Sequence, residues 1–477
     1  MSDFKNIAIL DIGKTNAKVV VVNAATGDEV AAVRMPNRVL AGPPYPHYDV
    51  EAIWSFALDA LARFAAEPGY DAISITTHGA CAALLDAVGE LALPVLDYEH
   101  SYPQAIRDAY ADLRPPFAET ASPPLSAGLN LGAQLHFLKA SFPADFSRVA
   151  TIVTYPQYWA FRLTGVAANE VTSLGCHTDL WCPGSGDYSR LVDTLAIRSL
   201  MAPIRSAFDR LGPVLPDIVA RTGLAKPVPV FCGIHDSNAS LLSHLAARRS
   251  SFSVVSTGTW VVSFAVGGNL AALDPRRDTL ANVDAYGRPV PSSRFMGGRE
   301  FEMLTSDWPK PSSDDIAACV EQVLLHGRMI LPGVVRGSGP FPDRERGMVG
   351  KAPETSAEAY ALASAYLALM TDSCLSLLGA AGETIVEGPL AENMAYLRLL
   401  SALTGRDVLA VSGSTGTGGG AALLAQAHPA QTGFQRIEPW PAEPALSYRE
   451  QWQKHLGSIV GDVSSAAEVS PADMPET

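Results

Sequence analysis

The chain opens with apolar runs separated by turn chemistry. Asn6 to Asp11 is the first run, Ala17 to Asn23 the second and Glu29 to Met35 the third. Gly13 breaks the first pair, and Thr26, Gly27 and Asp28 break the second. This spacing predicts three antiparallel strands with a tight turn at the first tip. The pattern returns later. Phe252 to Val255 is a short strand-like run, Ser256 to Thr259 a turn, and Trp260 to Val266 a second run. AILDIGKTNAKVVVV is thus echoed by FSVVSTGTWVVSFAV, so two units that each begin with a Gly/Thr-tipped hairpin are expected.

After each hairpin the pattern alternates between strand and helix periods. In the first half Ala72 to Thr76 predicts a strand and Pro156 to Leu163 a helix closed by Gly165. Val228 to Cys232 predicts a strand that leads through Gly233 to Asp236 and a helix over Ser237 to Ala247. In the second half a long helix is expected over Ala357 to Leu378, a strand over Thr384 to Glu387, a helix over Glu392 to Leu403 closed by Gly405, and a strand over Val408 to Val411. The glycine-rich turn Gly413 to Gly420 then feeds another helix. The fold class is α/β in both halves. The expected division is 1–247 and 248–460, with a Ser-, Ala-, Pro- and Glu-rich tail over 461–477 read as disordered.

Bulk properties narrow the function. A length of 477 residues, 48% hydrophobic and 18% charged, fits a globular chain of two or three domains. The net charge of -14, without a Lys/Arg-rich stripe, argues against a nucleic-acid partner. Residues 1–6 lack the basic and apolar regions of a signal peptide. No run approaches the roughly 18 apolar residues that span a bilayer. A cytoplasmic protein without a membrane partner is therefore expected. The six cysteines are scattered, with no C-x-x-C, and read as reduced thiols; Cys176, His177 and Cys182 fit no zinc spacing.

Three segments carry candidate chemistry. In Asp11-Ile-Gly13-Lys14-Thr15-Asn16-Ala-Lys18, a strand-end carboxylate is suited to Mg²⁺ or its waters, and Gly13 lets the backbone approach a phosphate. Thr15 and backbone N–H groups offer phosphate contacts, and Lys14 or Lys18 offers charge. Read alone, the segment is equally a hairpin with a polar tip. Ser256 to Thr259 follows the same logic, and two such tips across a cleft would grip a polyphosphate from both sides. In Gly233-Ile-His235-Asp236, the carboxylate stands at a strand-to-helix junction, where an N-cap is the plain reading. Its closeness to the second tip favours a general base for phosphoryl transfer to a hydroxyl.

With these motifs in order, the sequence resembles the FGGY family of carbohydrate kinases from about Asn6 to Trp452, within the actin, hexokinase and sugar-kinase superfamily. The matching blocks are Asp11 to Lys18, His47 to Trp54, His78-Gly79, Leu163-Thr164-Gly165 followed by Glu170, Thr172 and Ser173, Gly233 to Asp236, and Ser256 to Thr259. The resemblance implies two actin-like, ribonuclease H-like domains flanking a central cleft. It implies an ATP-dependent sugar kinase with Asp236 as base and Asp11 on the metal side. Phosphate contacts would come from Gly13, Lys14, Thr15, Asn16, Thr257, Gly258 and Thr259, and nucleotide contacts from Gly388 and Asn393. Sugar contacts would come from His78, Gly79, Asp97, Tyr98, His235 and Asp236. His78 has a structural reading beside this one.

The sequence departs from the family in three places. Asp97-Tyr98-Glu99-His100 replaces the usual W-x-D-x-R, Pro389 follows Gly388 where a Gly-Gly pair is common, and the Ser412 to Gly420 turn reads either as a loop or as an adenine-site wall. Arg299 approaches nucleotide or sugar, or forms a surface ion pair. The implied partners are ATP with Mg²⁺ and a small sugar, with a homodimer as the self-association allowed. His235-Asp236 with Gly258-Thr259-Trp260 is closest to L-rhamnulose and L-fuculose kinases, which points to a ketose; Trp260 is otherwise a core residue. The alternatives are a kinase for another ketose or polyol, of ribulose, xylulose or erythritol type, and a non-catalytic, nucleotide-gated actin-like module.

Overall fold

The structure, a computed structural model, describes residues 4–411, 416–428 and 433–464, with side chains through Gly457. The chain turns back at Gly13 so that β1 (Asn6–Ile12) pairs antiparallel with β2 (Asn16–Asn23), which pairs antiparallel with β3 (Glu29–Pro36). The helix α1 (Val50–Ala66) follows, its N-terminus capped by the Asp49 carboxylate, which accepts the Ala52 N–H at 3.1 Å. It returns the chain to β4 (Ala72–Thr77), parallel to β1 with Ile7 beside Ala72. The helix α2 (Tyr155–Thr164) ends at Gly165, whose φ of 73° is the left-handed stop the sequence implied. The short helix α3 (Val171–Leu174), β5 (Arg210–Pro213), β6 (Pro229–Phe231), β7 (Ile234–His235) and α4 (Asp236–Ala247) complete the first half.

The second half repeats the plan. β8 (Phe252–Thr257) and β9 (Val261–Val266) form the second hairpin, and β10 (Thr279–Val283) and β11 (Pro289–Phe295) extend its sheet. After α5 (Gly297–Thr305) and α6 (Ser356–Leu377), β12 (Glu383–Glu387) lies parallel to β8. The helix α7 (Met394–Thr404), β13 (Val408–Val411), α8 (Thr417–Ala422) and β14 (Phe434–Arg436) follow. Among the described residues the two large sheets run β5-β6-β4-β1-β2-β3, with β7 also on β4, and β10-β11-β9-β8-β12-β13-β14. The echo in sequence is therefore an echo in topology: each hairpin's first strand pairs antiparallel with its partner and parallel with the strand after the crossover.

Alternation along the central strands assigns the layers. Ala8, Leu10 and Ile12 face a core completed by α1 and α2, whereas Ile7 and Ile9 face a second core. That second core also holds Leu241 and Leu242 of α4, Phe252 and Val254 of β8, Ile385 of β12 and Ala421 to Ala425. Full burial of each such leucine is worth about 1.5–3 kcal/mol. The two sheets thus share a middle layer made of α4 and α8. Gly420 makes this layer possible, because a Cβ there would lie 1.8 Å from the Ala239 carbonyl oxygen. The segment beginning at Thr417, which the division at 247/248 assigns to the second half, packs on the first sheet, with the Ser74 hydroxyl donating to the Ala421 carbonyl at 2.8 Å. The third large core lies beneath the second sheet. There α6 is buried on nearly all sides, consistent with its continuous apolar sequence.

The helix expected from Glu392 begins instead at Met394. Pro389 starts a separate turn of 3₁₀ helix over Pro389–Glu392, and Asn393 caps α7 by accepting the Tyr396 N–H at 3.0 Å. A final helix, Ala442–Ser464, runs into the segment 461–477 expected to be disordered, and the remainder of that segment lies outside the described residues. So do residues 412–415 of the glycine-rich turn; residues 417–420 form the start of α8 rather than a loop. Among the described residues no helix is long and apolar enough to cross a membrane.

Candidate active site

The first hairpin tip is fixed from within and from the side. The Gly13 N–H donates to the Asn16 carbonyl at 2.9 Å. Asn37 braces the tip by donating its side-chain amide to the Gly13 carbonyl and its backbone N–H to the Thr15 carbonyl, each at 2.9 Å. Thr15 and Asn16 are left exposed. Asp11, at the end of β1, is largely enclosed, and the Thr417 hydroxyl donates to its Oδ2 across the middle layer. Burial pushes the Asp11 carboxyl up to about 6, and the nearby Asp236 charge adds to this, against the Thr417 bond and Lys18. Lys18 itself is engaged by Glu29 at 2.6 and 2.8 Å.

The second tip is held differently. Thr257 is buried, and its hydroxyl donates to the Glu387 carbonyl at 2.6 Å and accepts the Leu390 N–H at 3.0 Å. Its side chain therefore serves to clamp the tip to the turn at Gly388. Gly388 has φ 83°, and a Cβ there would lie 2.0 Å from the Thr257 carbonyl oxygen. Gly258 and Thr259 stay exposed beyond the clamp. Trp260 is 37% exposed rather than core, with the Arg294 guanidinium 5.0 Å from its ring centre.

Asp236 begins α4, where the helix N-terminus favours negative charge. The Ser237 N–H at 2.6 Å, the Ser237 hydroxyl at 3.3 Å and His235 Nε2 at 3.2 Å all approach its Oδ1. Among the described residues Oδ2 is thus the oxygen left for an incoming proton. Burial raises the Asp236 carboxyl above the ordinary value, partly opposed by His78. Its side chain is still 28% exposed, because it opens onto a cavity of about 220 Å³. Ser240, Ser256, Glu387 and Thr417 also line that cavity. Burial lowers His235 to about 4, so it is a neutral donor to Asp236, with its Nδ1 facing the Asn238 amide at 3.3 Å. The His235 N–H is anchored at 3.0 Å on the Thr172 hydroxyl, which itself donates to the buried Glu170 carboxylate.

Gly79 is a spacer for this arrangement, since a Cβ there would meet His235 Nε2 at 2.6 Å. His78 is buried among the rings of Tyr48, Tyr98 and Tyr155 at 5.0–5.5 Å, and burial lowers it to about 4. Its Nδ1 lies 2.9 Å from the Gly79 carbonyl, and its buried Nε2 has no partner among the described residues. Asp97 and Tyr98 lie beside it. Lys14, expected among the phosphate ligands, instead turns its ammonium to Asp97.

The remaining predicted nucleotide residues line a larger cavity of about 480 Å³. It is walled by Thr257, Gly258, Thr259, Pro389 and Asn393, with Tyr360 and Trp440 further along. Gly388 shapes the wall through the Thr257 clamp. Asn393 caps α7 and donates to the Ser364 hydroxyl at 3.0 Å, so its side chain reaches the cavity already engaged. Arg299 lines the cavity and forms the surface ion pair, with Glu302 at 2.8 Å. The structure thus links Asp11 to Asp236 through Thr417, which bonds to Asp11 and lines the cavity of Asp236 together with Ser256 at the base of the second tip. It adds Thr417 and Glu387, which motif reading missed; the Thr-Gly step at 417–418, which repeats the chemistry of the second tip, was the available signal for Thr417.

A hard, oxygen-only donor set of one or two carboxylates plus substrate phosphates suits Mg²⁺, which keeps several of its waters. Asp11 fits that description: it is a carboxylate whose charge burial disfavours and a cation would stabilise. Among the described residues no three His, Cys, Asp or Glu side chains are grouped as a metal cage.

Two family models match the chain: the N-terminal domain of the FGGY family of carbohydrate kinases over residues 6–243, and the C-terminal domain of FGGY carbohydrate kinases over residues 249–433. A solved carbohydrate kinase from Novosphingobium aromaticivorans is 38% identical, with a TM-score of 0.88 over 94% of this chain and 99% of that one. A xylulose kinase from Rhodospirillum rubrum shares the fold, at 18% identity and a TM-score of 0.77 over 96% of this chain and 99% of that one. An L-fuculokinase from Haemophilus influenzae is 26% identical over 274 residues, 54% of this chain; the chain spans only 57% of that relative's length.

Proposed function

Because the chain belongs to the FGGY family of carbohydrate kinases, we propose that it transfers the γ-phosphoryl group of ATP to a hydroxyl of a small sugar, with Asp236 as general base. The observation that carries this reading is the free side of Asp236, which opens onto a cavity shared with Thr417, while Thr417 is bonded to Asp11. The adenosine end of ATP fits the larger cavity beyond Gly258 and Thr259. In the reaction the sugar oxygen bonds to the γ-phosphorus as the bond from that phosphorus to the β–γ bridging oxygen breaks. The hydroxyl proton passes to Asp236, and ADP leaves. Backbone N–H groups at the two tips stabilise charge on the transferred group. Mg²⁺ held on the Asp11 side supplies further charge neutralisation when bound. Closure of the cleft would exclude water and so protect ATP from hydrolysis.

The acceptor class we favour is a ketose phosphorylated at its terminal hydroxyl, of L-fuculose or L-rhamnulose type. The His235-Asp236 pair, the Gly258-Thr259-Trp260 tip and the similarity to L-fuculokinases support it. The test is a panel of ketoses and polyols with ATP, scored by ADP release, on the parent protein and on Asp236→Asn. The variant should lose about 10²–10⁴-fold in turnover while binding ADP as the parent does. Sugar-dependent ADP release at the parental rate from purified Asp236→Asn removes Asp236 from the role. A parent that releases ADP at one slow rate regardless of sugar is a nucleotide-gated module instead.

A further inference from the structure

Lys14 leaves the tip of the first hairpin and turns its ammonium to the segment after β4. It pairs with the buried Asp97 and sits 3.3 Å from Glu99. It also lies 4.6 Å from the ring centre of Tyr98 and 5.1 Å from that of Tyr48. Tyr48 donates its hydroxyl to Asp97 at 3.2 Å, and the Glu99 N–H approaches the same oxygen at 3.3 Å. To reach a phosphate, Lys14 would have to abandon a buried carboxylate and two aromatic faces. From this packing we infer that Lys14 is a specificity-determining residue for the acceptor, not a phosphate ligand, and that the wall it builds selects uncharged polyhydroxyl compounds over sugar acids.

The wall's chemistry supports that class. Lys14 supplies N–H donors and Asp97 supplies acceptor lone pairs. Nδ1 of His78 faces a carbonyl and so carries the proton, which leaves the buried Nε2, without a partner among the described residues, as a second acceptor. Donors and acceptors therefore stand side by side, as adjacent hydroxyl groups require, and the Tyr98 ring offers a face for C–H groups. The ammonium is one positive charge against the two carboxylates of Asp97 and Glu99. A sugar acid would bring a third carboxylate to that group, whose ammonium is already shared between two. In the opposite direction, a neutral sugar keeps the local charge unchanged on binding.

This inference rests on the kinase reading, and the experiment separates the two. The sugar that gives the best ADP release in the panel is titrated against parent, Lys14→Met and Lys14→Gln, with gluconate as the acidic comparator and ADP binding measured by calorimetry. Lys14→Met should raise the KM for the sugar about 10–100-fold, the range of a lost charge-assisted hydrogen bond, with ADP binding unchanged. Lys14→Gln, which keeps a donor and a similar stem, should fall between the two and guards against a folding defect. The parent should turn over gluconate far more slowly than the neutral sugar. An unchanged sugar KM in both variants, or a loss confined to ADP or ATP, overturns the assignment while leaving the kinase reading intact. Efficient parental turnover of gluconate overturns the selection against acids. A parent with no sugar-dependent turnover fails the kinase reading first and takes this inference with it.

Discussion

Glu170→Gln should make the protein more stable at the alkaline end of a pH titration than at the acid end, relative to the parent. Glu170 is 0% exposed; its Oε2 accepts the Thr172 N–H at 3.0 Å and the Thr172 hydroxyl, and the Ser173 N–H also approaches the carboxylate. Burial pushes its carboxyl up from 4.5 to about 7. Between those values the unfolded chain has released the proton while the folded chain has kept it. The folded state then binds more protons, so the stability Glu170 contributes falls as pH rises through the window. The interval from 4.5 to about 7, at about 1.4 kcal/mol per pH unit, amounts to about 3 kcal/mol. Glutamine is neutral at every pH and nearly the same shape, and its carbonyl can still accept from Thr172. Its amide nitrogen takes the buried Oε1 place without an acceptor to meet it among the described residues and costs about 1–3 kcal/mol at every pH. Asp11 and the other titrating groups are common to both proteins and cancel in the difference. Denaturant titrations of both proteins at a series of pH values measure that difference. It should move in the variant's favour by up to about 3 kcal/mol as pH climbs. Parallel stability curves would refute a buried, high-pKa Glu170.

Two further outcomes follow from the same coordinates. Acidification should remove activity as Asp236 takes up a proton, and because burial raises that carboxyl, the acid limb of kcat/KM should lie above 3.8; Asp11, pushed up to about 6, adds a second acid-side step, and a profile flat down to 3.8 would count against both. Gly388→Ala should destabilise the second half by about 2–4 kcal/mol, from a left-handed backbone and overpacking, since the new methyl would meet the Thr257 carbonyl oxygen; the readouts are the unfolding midpoint and the KM for ATP, and parental values for both would show that the Thr257 clamp does not shape the nucleotide wall.

Much of this fold is written locally. Gly13, Gly27, Gly165 and Gly405 end the elements they were expected to end, because turn and C-cap chemistry acts over a few residues. The repeated hairpin was legible for the same reason. The start of α7 was misplaced because the helical period extends back through Leu390, whereas Pro389 and Asn393 impose a break that periodicity does not register. The site residues divide likewise. Asp11 and Asp236 stand at strand ends beside glycine and could be picked out from that setting. The role of Thr257 as a clamp depends on a carbonyl 130 positions away, and the Thr417 bond to Asp11 spans 406 positions. Lys14 was assigned by its place on the tip, whereas the partners its ammonium takes here, Asp97 and Glu99, come from the segment after β4 and leave no local signal.

The middle layer explains why residues so far apart meet. Asp236 is the first residue of α4, and Thr417 is the first of α8. The two helices touch where Gly420 leaves no room for a side chain against Ala239. Backbone contact this close fixes the helices relative to each other more firmly than interdigitated side chains could, because no rotamer change relieves a clash with a carbonyl. Their first residues are consequently delivered to one cavity. Burial there raises both Asp236 and the Asp11 that Thr417 contacts, and the Asp236 charge makes Asp11 harder still to ionise. The helix N-terminus, Ser237 and Thr417 recover part of that cost through hydrogen bonds to the ionised forms. The rest must come from whatever positive charge enters the gap. On the proposed assignment, ionisation of Asp236 would be coupled to loading of the Asp11 side: a cation accompanying the nucleotide would favour the carboxylate form of Asp236, the condition under which a proton acceptor is useful.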